Sequence, residues 1–358
     1  QRAGGQVWLR HRLEDLVIKE DFVTSAEVTN LSSGERITIR ANCFVNAAGP
    51  WVRQIAHLAD LDIPIALGKG TMIALASRPI HTIINRCRPP SDGDIIVPVG
   101  PVAILGTTDV EVKSPTELDI AQREIDFLLA QGEILLPEMA KFRPLRAWAG
   151  IRPLYRPRGL SHTRELPRGH VLIDHSERDG LKGMVSIFSG KLTTFRLMAE
   201  QVVDLVVGKI GIGTSCRTAE TPLNPERREF FQLPERLEAI TASDQTEGEQ
   251  IVCECEWVPR SAIEDAIRSS SSTDLDDVRR KIRLGMGPCQ AGFCGYRAAG
   301  IAHEVAPSPL DGRLDAFLQA RWRGLRPLGW GQTLRQMEMT RRIYIDLLHT
   351  PETREPSQ

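Results

Sequence analysis

The chain has 358 residues, with 45 Lys and Arg against 46 Asp and Glu and a formal net charge of −1, so no basic surface points to nucleic acid. Hydrophobic (41%) and charged (25%) fractions are those of a globular chain with room for two or three cores. Seven cysteines are too few for a disulfide scaffold, no N-terminal stretch has signal-peptide character, and no apolar run reaches the ~18 residues of a spanning helix.

Gln1 is not a start methionine and Val7 to Ile18 already has strand character, so the chain is expected to begin inside a domain. Trp8 to Ile18, Phe22 to Val28 and Ile37 to Val45 predict strands, with a turn at Asn30 to Gly34. The last strand runs into Asn46-Ala47-Ala48-Gly49-Pro50-Trp51 and a helix from Val52 to Ala59. Small residues there suit close approach of backbone to a ligand or a tight turn. Thr71 to Leu75 predicts a strand, and Ile95 to Val99 with Val102 to Leu105 a hairpin. Leu118 to Gln131 predicts a helix with Leu118, Ile125, Leu128 and Leu129 on one face. Strands follow at Ala147 to Leu154, carrying Arg152, at Val171 to Asp174 and at Met184 to Phe188. The last meets Ser189-Gly190-Lys191-Leu192-Thr193-Thr194 and a helix running to about Lys209. A strand, a small-residue turn and a helix N-terminus make an anion-friendly corner.

Residues 214–249 are polar and proline-rich and predict a linker. Beyond it, Cys253-Glu254-Cys255 and Cys289 to Cys294 form a C-x-C pair and a C-x4-C pair, while Cys43, Cys87 and Cys216 stand alone. Helices are expected at Ser261 to Arg268, at Asp274 to Leu284 (capped by Asp274, stopped by Gly285) and from Tyr296, then at Leu314 to Arg323 and Thr333 to His349. Two close thiol pairs predict a metal or cluster site. Zinc ligands prefer C-x2-4-C spacing, and a C-x-C pair leaves little room to grip one small ion; a two-iron cluster relaxes that demand. Gly285, Gly287, Gly292 and Gly295 let backbone N–H groups approach the sulfurs. The spacing ranks [2Fe–2S] above zinc, and zinc above four unrelated thiols.

The cysteine stretch, with Gly287-Pro288-Cys289-Gln290-Ala291-Gly292-Phe293-Cys294, resembles the [2Fe–2S] domain of the bacterioferritin-associated-ferredoxin type. Gly106-Thr107-Thr108-Asp109, Gly150-Ile151-Arg152-Pro153-Leu154 and Gly190-Lys191-Leu192-Thr193-Thr194-Phe195-Arg196 resemble signatures of FAD-dependent glycerol-3-phosphate dehydrogenases. The combination is similar to the A-subunit family of the anaerobic glycerol-3-phosphate dehydrogenases, which carries both parts. The resemblance implies an α/β (α+β) fold: a remainder of a D-amino-acid-oxidase-like FAD-binding fold with a β-sheet substrate domain over 1–213, a linker over 214–249, a small helical [2Fe–2S] domain over 250–306, and C-terminal helices over 307–358. It implies oxidation of glycerol 3-phosphate, with electrons passing through the cluster to other subunits of a membrane-associated complex and on to quinone. The chain would lie in the cytoplasm, held peripherally at the inner face of the membrane.

Residue by residue, the resemblance implies that Cys253, Cys255, Cys289 and Cys294 ligate the cluster. Arg152 contacts substrate, Arg164 binds its phosphate, and Lys191 lies beside the isoalloxazine. Ala48, Gly49, Pro50, Trp51, Gly150, Ile151, Ser189, Gly190, Leu192, Thr193 and Thr194 line the flavin. Ser189 and Phe195 depart from the family's common glycine and tyrosine. No G-x-G is followed by the third glycine of a pyrophosphate turn, so the chain is expected to be an N-terminally truncated piece that alone binds FAD weakly and is inactive. Two rivals remain: an amino-acid or opine oxidase subunit with the same ferredoxin module, and a non-catalytic electron-transfer or docking module.

Overall fold

The computed structural model describes residues 4–89, 91–156, 163, 166–221, 238, 250–269, 274–307 and 310–348. The chain divides into two compact units: Gln1–Lys69, Val110–Glu117 and Ile151–Arg227 form one, and Gly70–Asp109, Leu118–Gly150 and Arg228–Gln358 the other. Arg164 and most of the expected linker lie outside the described residues.

The first unit opens with an antiparallel meander of β1 (His11–Lys19), β2 (Phe22–Asn30) and β3 (Arg36–Arg40). Trp8 and Leu9, expected in the first strand, precede it and are exposed. The side chain of Asn30 closes the turn by accepting the Ser32 N–H at 2.9 Å. The strand expected over Ile37 to Val45 is in fact two. β3 pairs with β2, whereas β4 (Phe44–Asn46) joins another sheet beside β12. The chain must turn between them, because one strand cannot serve both ladders. After α1 (Val52–His57), β5 (Ile65–Leu75) is longer than expected and carries Gly68-Lys69-Gly70 inside the strand.

In the second unit, the end of β5 pairs with β8 (Val102–Gly106), β8 with β7 (Ile95–Val99), and β7 with β6 (Ile84–Asn85). Ile73, Leu75, Ile96 and Leu105 pack with Ile125 and Leu128 into one fully buried core. The helix supplying the last two, α2, spans Gln122–Leu135, four residues later than Leu118–Gln131. Glu124 sets that start. Its buried carboxylate accepts the Ala121 N–H at 3.0 Å and the hydroxyls of Thr71 and Thr108 at 2.8 and 3.1 Å. These tertiary bonds outrank the apolar periodicity through Leu118, which is exposed.

β9 (Val110–Val112) and β10 (Pro144–Tyr155) follow, then β11 (His170–Asp174), α3 (His175–Arg178), β12 (Met184–Ser189) and α4 (Phe195–Lys209). The cysteine module consists of β13 (Ile251–Cys253), β14 (Val258–Pro259), α5 (Arg260–Arg268), α6 (Leu275–Ile282) and α7 (Cys294–Val305). Asp274 caps α6 as expected, accepting the Asp276 N–H at 2.8 Å. The helix stops at Arg283, in the left-handed region at φ 63°, two residues before Gly285. The buried Glu256 carboxylate grips the Arg283 guanidinium with two bonds of 2.9 and 3.0 Å, fixing that residue in a conformation more usual for glycine. α8 (Leu310–Leu325) and α9 (Gly331–Arg342) complete the unit, and a π turn at Ile343–Leu347 interrupts the expected last helix. Among the described residues, no helix is long and apolar enough to cross a membrane.

Candidate functional site

In the first unit, β4 and β12 are parallel neighbours, with Phe44, Val45 and Asn46 opposite Met184, Val185 and Ser186. Two segments expected at a flavin, Ala48 to Trp51 and Ser189 to Thr194, therefore leave the carboxyl ends of adjacent parallel strands. Parallel sheets bind ligands at that edge. Asn46 braces the first segment: its amide donates to the Val52 carbonyl at 2.8 Å and its side-chain oxygen accepts the Ala48 N–H at 3.3 Å. Neither bond is visible in the residue pattern.

Ser189 and Gly190 take positive φ, 64° and 77°. A Cβ on Gly190 would stand 3.0 Å from His170 Cβ and from Met198 Sδ. The glycine common at position 189 thus has a physical reason, since Ser189 occupies a backbone region that β-carbons resist. The Ser189 hydroxyl is buried without a hydrogen-bond partner. Thr194 donates its hydroxyl to the Lys191 carbonyl at 2.8 Å and accepts the Lys191 N–H at 3.4 Å, shaping a 3-10 turn ahead of α4. Lys191, Leu192 and Thr193 are exposed. An orphaned hydroxyl and an exposed helix approach fit a polar ring edge such as that of FAD. Arg152 and Ile151 are half-buried on β10, and Gly150 is exposed.

One arrangement in this unit resembles a nucleophile triad. His175 stands 2.6 Å from Asp179 Oδ2 and 2.7 Å from Ser186 Oγ. Both His175 and Ser186 are fully buried, so the group ties α3 to β12 and meets no substrate. Burial lowers the His175 pKa, against the opposing pull of Asp179.

In the second unit, the four expected ligand cysteines converge. Cys255, Cys253, Cys289 and Cys294 form a chain of sulfurs 3.9, 3.8 and 3.7 Å apart. Cys253 and Cys294 are buried, and Cys255 and Cys289 half-buried. The Cys253 thiol is pushed strongly acidic by hydrogen bonds from Cys255, then Cys289 and Cys294. The other three are pushed up, first by their bonds to Cys253 and then by burial and mutual repulsion. Four thiolates this close need a cationic centre between them. The Gly285 N–H reaches Cys253 Sγ at 3.5 Å, and a Cβ on Gly287 would stand 2.7 Å from Cys255 Sγ. The glycines are therefore needed at the sulfurs themselves. A tetrahedral zinc site would also place its sulfurs about 3.8 Å apart, so these distances alone accept either metal. A cavity of about 160 Å3 opens beside Cys289, lined largely by apolar side chains including Phe293, Trp322 and Met337.

Residues 1–196 match the FAD dependent oxidoreductase family, and residues 251–304 match the BFD-like [2Fe–2S] binding domain. The A subunit of anaerobic glycerol-3-phosphate dehydrogenase from Escherichia coli K12 is 37% identical over 96% of this chain and 68% of its own. The chain belongs to the family of anaerobic glycerol-3-phosphate dehydrogenase A subunits. A further member, the A1 subunit of the Haloferax volcanii enzyme, is 34% identical over 98% of this chain and 64% of its own. Among solved structures, the FAD complex of Bacillus halodurans glycerol-3-phosphate dehydrogenase shares the fold at TM-score 0.52 and 21% identity, covering 95% of this chain and 68% of that one.

This family member is thus an FAD-dependent oxidoreductase with a [2Fe–2S] domain, and the domain match settles for iron–sulfur what the sulfur spacing left open. Sequence reasoning missed Asn46, the Glu256–Arg283 pair and a buried arginine on α8, Arg321. Each acts through hydrogen bonds to residues distant in the chain or through backbone atoms, so no local motif marks it.

Proposed function

We propose that this protein oxidises sn-glycerol 3-phosphate to dihydroxyacetone phosphate and passes the electrons through its [2Fe–2S] centre to partner subunits and quinone. The reading is supported by the joining, on one chain, of the FAD oxidoreductase fold and a four-thiol centre, in the order found in relatives bearing that enzyme name. Bound FAD supplies the hydride acceptor, and the cluster supplies a one-electron relay.

Ala48, Gly49, Pro50 and Trp51 hold the flavin from β4, Gly150 and Ile151 from β10, and Ser189 to Thr194 from β12. Lys191 presents a positive charge to the ring edge, which favours added electron density there. Arg152 binds and orients substrate oxygens through its planar fork, and Arg164 receives the phosphate, which carries roughly two negative charges at neutral pH. Cys253, Cys255, Cys289 and Cys294 ligate the cluster. The domain division is 1–213 for the flavin part, 250–306 for the cluster part and 307–358 for the tail. Without a membrane-crossing helix among its described residues, the protein meets quinone through partners, at the cytoplasmic face of the membrane.

The test is anaerobic titration of the flavin in the complete gene product. Glycerol 3-phosphate bleaches the flavin absorption and amino acids do not. Bleaching by amino acids alone would transfer the chain to the oxidase reading, and bleaching by neither would favour the docking module.

A further inference from the structure

Arg321 on α8 is 4% exposed. Its Nη2 donates to the Gly285 carbonyl at 3.1 Å and to Gln290 Oε1 at 2.6 Å. Gln290, next to Cys289, donates in turn to the Gly287 carbonyl at 2.8 Å. The guanidinium therefore ties together the loop that carries Cys289 and the residue whose N–H reaches Cys253. Its Nε and Nη1 are buried without a hydrogen-bond partner. A guanidinium has five N–H donors and keeps its charge, and burying it beside neutral oxygens alone is costly.

The fixed charges around it do not offset that cost. Arg146 on β10 and Arg279 on α6 repel it, and both Arg146 and Arg321 are pushed down by burial first, to about 10 and about 9. The nearby Asp276 carboxylate is committed to Arg279 and Arg280. The remaining negative group is the cysteine set itself, through Cys289. Two ferric ions and two sulfides held by four thiolates leave a net negative charge, larger by one when an electron enters.

We propose that Arg321 is the charge-compensating and loop-positioning residue of the iron–sulfur centre, raising its reduction potential from α8, outside the matched [2Fe–2S] domain. This rests on the reading of the four cysteines as [2Fe–2S] ligands. The C-terminal helices are then part of the electron relay and not an appended tail.

The experiment is an EPR-monitored redox titration of anaerobically purified wild-type protein, Arg321→Met and Arg321→Lys, with iron and sulfide assayed in each. Arg321→Met lowers the one-electron reduction constant about tenfold, a fall of ~59 mV, and Arg321→Lys stays within threefold of wild type. An iron-loaded Arg321→Met with an unchanged potential overturns the proposal. If Arg321→Met loads no iron while Arg321→Lys does, the need for charge is upheld. If neither variant loads and both lose thermal stability alike, Arg321 is only a packing residue and the proposal fails. Absence of iron from the wild type would sink the ligand assignment itself, a separate failure.

Discussion

The ligand set of the iron–sulfur centre comes from one stretch, Cys253 to Cys294, and its sulfurs stand within 4 Å of their neighbours. The flavin edge draws on residues from Ala48 to Thr194, delivered by strands far apart in sequence, and leaves Trp51, Lys191, Leu192 and Phe195 exposed. The first is a sealed site whose electrostatics are set by its own sulfurs and by buried arginines. The second is an open edge whose groups wait on a large ligand. A relay centre must exclude water and hold one geometry, while a substrate site must admit molecules.

The sharpest break in this contrast is at the ligands. Cys289→Ser removes the sulfur that links Cys253 to Cys294, and we expect complete loss of the [2Fe–2S] EPR signal while flavin-side sequence is untouched. Next comes the seal. Glu256 is 1% exposed and pairs with Arg283; Glu256→Gln leaves the arginine under-compensated and costs about 3–5 kcal/mol, read as a lower denaturant midpoint. On the open edge, Arg152→Ala is expected to lower kcat/KM for glycerol 3-phosphate by about 10²–10³-fold, with little change in thermal stability. A loss of stability instead would make Arg152 a structural residue.

Two smaller effects sharpen the comparison from the flavin side. Ser189→Gly relieves the left-handed backbone and stabilises the protein by about 1–2 kcal/mol, measurable as a raised Tm. His175 is held neutral by burial, so its folded pKa lies below the unfolded value. Its contribution is fully present above pH ~6.5 and is lost as pH falls below it, by at most ~1.4 kcal/mol per pH unit. His175→Asn therefore flattens the fall of Tm between pH ~6.5 and ~5, though it starts from lower stability.

Legibility in the sequence follows the same divide. The C-x-C and C-x4-C pairs declare the cluster because its ligands are few, close in the chain and of one chemical type. The flavin edge is readable only as a resemblance, since the pairing of β4 with β12 is a tertiary fact. The helix expected from Leu118 starts later because Glu124, Thr71 and Thr108 fix its start from three segments. The stop expected at Gly285 comes earlier because Glu256 holds Arg283 in a glycine-like conformation. Arg321 is unreadable, as its targets are a backbone carbonyl and a side-chain amide on another element.

The central claim is that four converging thiols make this chain an iron–sulfur electron carrier. Metal and sulfide analysis with EPR of the anaerobically purified, dithionite-reduced protein tests it most directly. Iron and acid-labile sulfide are predicted in equal amounts, with a one-electron [2Fe–2S] signal that disappears in Cys289→Ser. Stoichiometric zinc with no iron and no signal would contradict it.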